Sequence, residues 1–171
     1  FIDACMRYLS KTGWINFRMR AMLVSFASYQ LWLDWKKTSK HLAKLFTDYE
    51  PGIHYSQFQM QSGTTGIYYI RIYNPIKQSH DQDVNGKFIK KWVPELKDVP
   101  DTLVHEPWKL TYIEQKSLNI EIGKDYPLPI VDNKSSTKLA KDKIWKIKKS
   151  ENAKILSKEI LDKHASLSLR R

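Results

Sequence analysis

His105-Glu106 comes nearest to a zinc-binding helix, in which two histidines four residues apart would face one metal. Position 109 is Lys109 and Pro107 breaks the turn, so no second ligand faces the first. His41, His54, His80 and His164 are scattered without ligand spacing, and no metal site is expected. Cys5 is the single cysteine; it permits neither an internal disulfide nor a cysteine-rich metal cluster, and it fits a reducing compartment. A serine or cysteine nucleophile needs a partner base, and no such pairing is legible. Neither of the glycine-rich phosphate-binding patterns, the P-loop or the dinucleotide fingerprint, is present. Ordinary hydrolytic or metal chemistry therefore has no support.

Charge is the stronger signal. Lys and Arg outnumber Asp and Glu by 29 to 18, which favours a polyanionic partner, either nucleic acid or an anionic membrane face. From Lys134 onward there are 12 basic residues against four acids (Asp142, Glu151, Glu159 and Asp162), so most of the excess lies in that tail. The tail reads equally well as a phosphate-binding surface or as a solvated helix face. The longest apolar stretch, Met19 to Trp35, contains Arg20 and Asp34 and is too polar to span a bilayer. Phe1 is not a natural translation start, and a piece of a longer protein is expected.

The elements that must position any site read as helices. Asp3 is placed to cap a first helix that stops near Thr12-Gly13. A second, long helix is expected from Asn16 to Trp35, with Met19, Leu23, Phe26, Ala27 and Leu31 forming a core-facing stripe. A polar break at Lys36-Lys37-Thr38 precedes a third helix, Ser39 to Phe46, and 48–52 reads as a turn on Pro51 and Gly52. A short helix from Ile53 to Gln61, a loop at 62–66, irregular chain from Tyr68 to Gln82 and a helix through Phe88, Ile89 and Trp92 follow. The stretch from 94 to 133 holds five of the seven prolines and is expected to be a loop-rich strap with one helix near Ile113 to Ser117. Ser136 to His164 reads as polar helix in two pieces, broken near Ser150. No repeat is visible, strand signals are weak, and the fold class is all-α. Two parts are expected: residues 1–133, and a basic helical extension over 134–171.

Three stretches carry a resemblance. The first is 1–7 (Phe1-Ile2-Asp3-Ala4-Cys5-Met6-Arg7) with 12–20 (Thr12-Gly13-Trp14 through Arg18-Met19-Arg20). The second is Leu31-Trp32-Leu33-Asp34-Trp35 followed by Asp48-Tyr49-Glu50. The third is Arg71-Ile72-Tyr73-Asn74-Pro75, Asp83 to Gly86, Phe88 to Leu96 and His105-Glu106-Pro107-Trp108. In order and spacing they resemble the DNA photolyase and cryptochrome family, across roughly residues 1 to 133.

That resemblance implies part of a helical FAD-binding domain with long irregular connections. The family is light-driven: an electron passes from reduced FAD to a pyrimidine dimer flipped out of DNA. By resemblance Arg20 and Asp48 pair beside the flavin ring, and Tyr49, Glu50 and His54 also contact the cofactor. A guanidinium there would stabilise negative charge on the ring, and its paired carboxylate would hold it in place. Trp35 matches a tryptophan of the family's electron relay, Asn16 lies near the substrate, Arg71 matches a DNA-backbone arginine, and Met60 stands where a tryptophan often packs on the flipped dimer. Phe58 replaces the flavin-proximal tryptophan, His54 replaces an asparagine, and Asn16-Phe17 replace a histidine-containing pair. These departures point to a divergent branch.

The implied parent is a carbon–carbon lyase (deoxyribodipyrimidine photolyase), located in the cytoplasm or on the nucleoid, with DNA as partner. This stretch, lacking the antenna domain and the helices that grip the FAD phosphates, is expected to be inactive alone and to self-associate through an exposed apolar face. Two further readings are a cryptochrome-type photoreceptor without repair activity and a flavin-free helical nucleic-acid-binding module.

Overall fold

The computed structural model describes residues 1–65 and 70–164. Among these residues there is no strand, only one isolated bridge between Ile122 and Tyr126, and the all-α expectation holds. Parts of the expected 62–66 loop and 68–82 segment, and the end of the basic tail, lie outside the described residues.

Helix α1 (Ile2–Thr12) buries Ala4, Cys5 and Leu9. It begins before Asp3: Cys5 N–H bonds to the Phe1 carbonyl at 2.9 Å, so Phe1 is the cap. Asp3 sits instead in the first turn, where it favours the helix dipole and pairs with Arg7 at 3.1 Å. Gly13 ends the helix with φ of 73°, a left-handed conformation that costs a side-chain-bearing residue free energy.

The expected long second helix ends early, at Gln30, and Trp35 instead opens the next helix. Helix α2 (Phe17–Ser25) starts at Asn16, whose side chain accepts from Met19 N–H at 3.0 Å. It widens into a π-turn over Phe26–Gln30, and Trp32 then takes a φ of 52°. Asp34 caps α3 (Trp35–Ala43) by accepting from Lys36 N–H at 2.8 Å. Lys36-Lys37-Thr38 are thus its first turn, not a break. Apolar periodicity runs through the junction because both sides face the core, so the pattern could not show the turn between them.

Helix α4 (Pro51–Gln61) begins at Pro51, where a missing N–H costs nothing, and Gly52 lies inside it. Helix α5 (Pro75–Gln82) occupies chain expected to be irregular; Asn74 accepts from the amides of Ile76 and Lys77, so Asn-Pro here is a helix start. Asp83 accepts from the amides of Phe88 and Ile89 at 3.0 and 2.9 Å and so starts α6 (Lys87–Trp92). The strap carries two short 3-10 turns and α7 (Tyr112–Ser117), as expected. Helices α8 (Asn133–Lys149) and α9 (Glu151–His164) meet at Ser150.

Among the described residues, two apolar clusters form the core. Cys5, Leu9, Ile15, Met22, Leu42, Phe46 and Phe58 belong to one, and Ala4, Ile89, Val93, Leu96, Val99 and Val104 to the other. Helix α1 lies between them, its neighbouring residues Ala4 and Cys5 facing opposite clusters. Each fully buried Leu or Ile contributes about 1.5–3 kcal/mol, so a handful of these contacts sets the register of α1 against α2 and α6.

Helix α8 docks on the π-turn through Ala140, which is buried, and through the Gln30 amide, which donates to the Tyr73 carbonyl at 2.7 Å and to Asn133 at 3.4 Å. Lys143 lies over the Trp32 ring at 4.5 Å.

Candidate functional site

Arg20 and Asp48, twenty-eight residues apart, meet at 2.8 Å. The path that brings them together is short. Gly13 leaves α1 in its left-handed turn, and its carbonyl accepts from Thr47 N–H at 2.9 Å and from the Thr47 hydroxyl at 3.2 Å. A β-carbon at Gly13 would run into the Thr47 methyl, so the close approach needs glycine. Asp48 follows Thr47 directly and is delivered to the face of α2 that carries Arg20.

Arg20 is fixed on three sides. Its Nε donates to the Ile15 carbonyl at 2.7 Å, its Nη2 donates to Asp48, and its guanidinium carbon lies 4.3 Å over the Phe46 ring. The Arg20 hydrogen bond holds the Asp48 carboxyl below its ordinary range. Asp48 is half exposed, so the pair is worth little as stability, about 0.2–1 kcal/mol. Its consequence is position: a cation with one geometry, partly open to solvent.

Glu50 has a different task. Its two carboxylate oxygens accept from Gly52 N–H at 3.0 Å and Ile53 N–H at 2.6 Å, capping α4, and those backbone bonds lower its pKa. The first turn of α4 thereby points His54 inward, where Nε2 donates to the Ser39 carbonyl at 2.9 Å. Phe46, Tyr49, Tyr55 and Phe58 surround the His54 ring, with centroids 4.6–5.9 Å away. Tyr49 and Tyr55 remain more than a third exposed, and Phe17, one turn before Arg20 on α2, is 60% exposed. The arrangement joins a fixed guanidinium to an open aromatic shelf. It can hold a planar, anionic ring system by its edge and its face.

Of the residues singled out in the sequence, Arg20, Asp48, Tyr49, Glu50 and His54 come together. Asn16 caps α2 at the rim. Trp35 opens α3 half-buried and packs on the first core cluster, Met60 is half-buried near the end of α4, and Arg71 is exposed. Among the described residues no hydrogen bond, ion pair or ring contact joins these last three to the cluster. Phe46, which contacts both Arg20 and His54, was missed by the sequence reading; its closeness to Asp48 in sequence was the available signal. A concavity of about 1580 Å³ lies elsewhere, between α1, the π-turn, the 126–132 strap and α8, and is mostly apolar.

Residues 1–146 match the family described as the FAD binding domain of DNA photolyase. The chain belongs to that family. It is 38% identical over 141 residues to the deoxyribodipyrimidine photo-lyase of Alkalihalophilus pseudofirmus, covering 81% of this chain and 29% of that protein. It is 35% identical over 132 residues to the cryptochrome DASH of Gloeobacter violaceus, covering 77% of this chain and 26% of that protein. Among solved structures, a class III photolyase from Agrobacterium tumefaciens superposes with a TM-score of 0.80 at 31% identity, over 86% of this chain and 31% of that one. The chain thus spans under a third of the length of these relatives. The family match runs into α8, past residue 133. No helix among the described residues is long and apolar enough to cross a membrane.

Proposed function

We propose that this chain supplies one wall of the FAD site of a light-driven flavoprotein resembling deoxyribodipyrimidine photolyase, which splits pyrimidine dimers in DNA. The carrying observation is the Arg20–Asp48 pair at 2.8 Å beside the exposed rings of Tyr49 and Tyr55. FAD when bound supplies photochemical electron transfer. Arg20 would face the negatively charged edge of its ring system, kept in place by Asp48, the Ile15 carbonyl and the Phe46 ring. Tyr49 and Tyr55 would cover a ring face and exclude water. Glu50 holds the first turn of α4, and His54 would approach the ring with Nδ1, since Nε2 is committed to Ser39. Trp35, Asn16, Met60 and Arg71 are proposed as relay, substrate-side and DNA-side residues.

A second reading, a photoreceptor without repair activity, is favoured by one observation: Phe58, only 2% exposed, packs against His54 where the resemblance calls for an oxidisable tryptophan.

A chimera tests both. Residues 1–146 of this chain replace the matching segment of the Alkalihalophilus photolyase. Retained flavin absorption, abolished by Arg20→Glu, supports the flavin site; flavin bound equally well by that variant overturns it. Light-dependent loss of dimers from irradiated DNA by the chimera supports repair, whereas flavin without dimer loss supports the photoreceptor.

A further inference from the structure

We infer that the exposed lysine stripe of α8 binds single-stranded nucleic acid, its lysines on the phosphates and an unpaired base stacked on the Trp145 indole. This surface lies apart from the Arg20–Asp48 site and does not depend on the flavin reading.

Helix α8 contains seven lysines and one acid, Asp142. Its inner side is fixed by Ala140, buried against the rest of the chain, and by Asn133 and Lys143, which touch Gln30 and Trp32. At about 100° per residue, Lys134, Lys138, Lys141, Trp145, Lys148 and Lys149 fall within an arc of about 100° clear of these contacts, with Lys134, Lys138 and Lys141 at the edge of the apolar concavity. All six are exposed, Trp145 by 61%, and Lys149 lies 5.6 Å over its ring. The stripe runs about 22 Å along the helix axis, room for about four nucleotides.

A merely solvated helix face mixes charge signs and gains from ion pairs one turn apart. Here, among the described residues, none of these five lysines is paired with a carboxylate, and neighbours three and four apart repel one another. A row of phosphates relieves that repulsion. An exposed indole within a cationic row adds what phosphates alone do not need, a flat surface for a base, which is the usual composition of single-strand binding surfaces. An anionic bilayer suits the face less well. The apolar side chains of α8, Leu139, Ile144 and Ile147, lie off the stripe, so it presents one indole and no continuous apolar strip to insert.

The test is fluorescence anisotropy of a labelled oligothymidylate with the full chain, in the dark and without added FAD, so that failure of the flavin reading leaves the result unaffected. Five phosphate contacts on a single strand give a slope of about −3.5 in log affinity against log salt, or about a hundredfold loss between about 50 and 200 mM. The triple variant K134E/K138E/K141E should reduce that slope by about 2. K134R/K138R/K141R should keep it, and matching circular dichroism establishes that both are folded. Trp145→Ala should weaken the single strand about fivefold or more and leave duplex of the same length unchanged. An unchanged slope in the glutamate variant, preference for duplex, indifference to Trp145→Ala, or binding to phosphatidylserine vesicles but not to the oligonucleotide would each overturn the inference.

Discussion

Replacing Gly13 by alanine tests the route by which the fold builds its site. Gly13 has φ of 73°, and a β-carbon there would overlap the Thr47 methyl. The left-handed backbone alone costs a residue with a side chain about 1–2 kcal/mol. Overpacking at a site with no slack adds about 1–3 kcal/mol, so Gly13→Ala should lose about 3 kcal/mol. For a chain of this length that is a fall of about 6–12 °C in Tm. Adding Thr47→Ser removes the methyl while keeping the hydroxyl that donates to the Gly13 carbonyl. The double variant should therefore recover about 1 kcal/mol or more and retain only the backbone cost. Urea unfolding of the four proteins in the cycle measures both quantities. The alanine variant should also let Asp48 drift from Arg20, and the Asp48 carboxyl should titrate closer to its ordinary value by NMR. A loss below about 1 kcal/mol, or no recovery with serine, would refute the close approach and with it the account of how Asp48 reaches Arg20.

Three further outcomes follow from the same structure. The Asp48 pKa is lower folded than unfolded, so the pair's small contribution is complete above the unfolded value and fades as pH falls through the folded one. Asp48→Asn should cost about 0.5 kcal/mol near neutral pH and nothing in strong acid, read from urea midpoints against pH. Cys5 is fully buried and its thiol is pushed up to about 12, so it should resist a disulfide reagent at mildly alkaline pH and react on unfolding; reaction at the rate of a free thiol would contradict that burial. His105, 4% exposed and bonded to Ser79 at 2.6 Å, has its pKa lowered by burial. The unfolded chain takes up that proton first, so stability should fall as pH drops below about 6.5, and His105→Gln should flatten that dependence.

Local chemistry was enough for much of the chain. Asn16 before α2, Gly13 after α1, the Phe88-Ile89-Trp92 helix, α7 inside the proline-rich strap and the division of the tail at Ser150 are decided by residues within one turn of each other. So is the family resemblance, which rests on residue order. What sequence pattern misplaced were the junctions. Asp34, Glu50 and Asn74 each satisfy the first free amides of a helix, and whether such a residue caps a helix or only makes a turn depends on what the next turn packs against. Pro51 and Pro75 read as breaks and proved to be first helical residues for the same reason. The π-turn and left-handed Trp32 interrupt a stretch whose apolar pattern continues, because both sides face one core.

Only the tertiary structure could decide that Arg20 touches Asp48 and that Phe46 lies beneath the guanidinium. Side-chain type is written in the sequence, but distance across the core is set by how α1, α2 and α3 pack, and each of these contacts spans a turn of chain whose path the core determines.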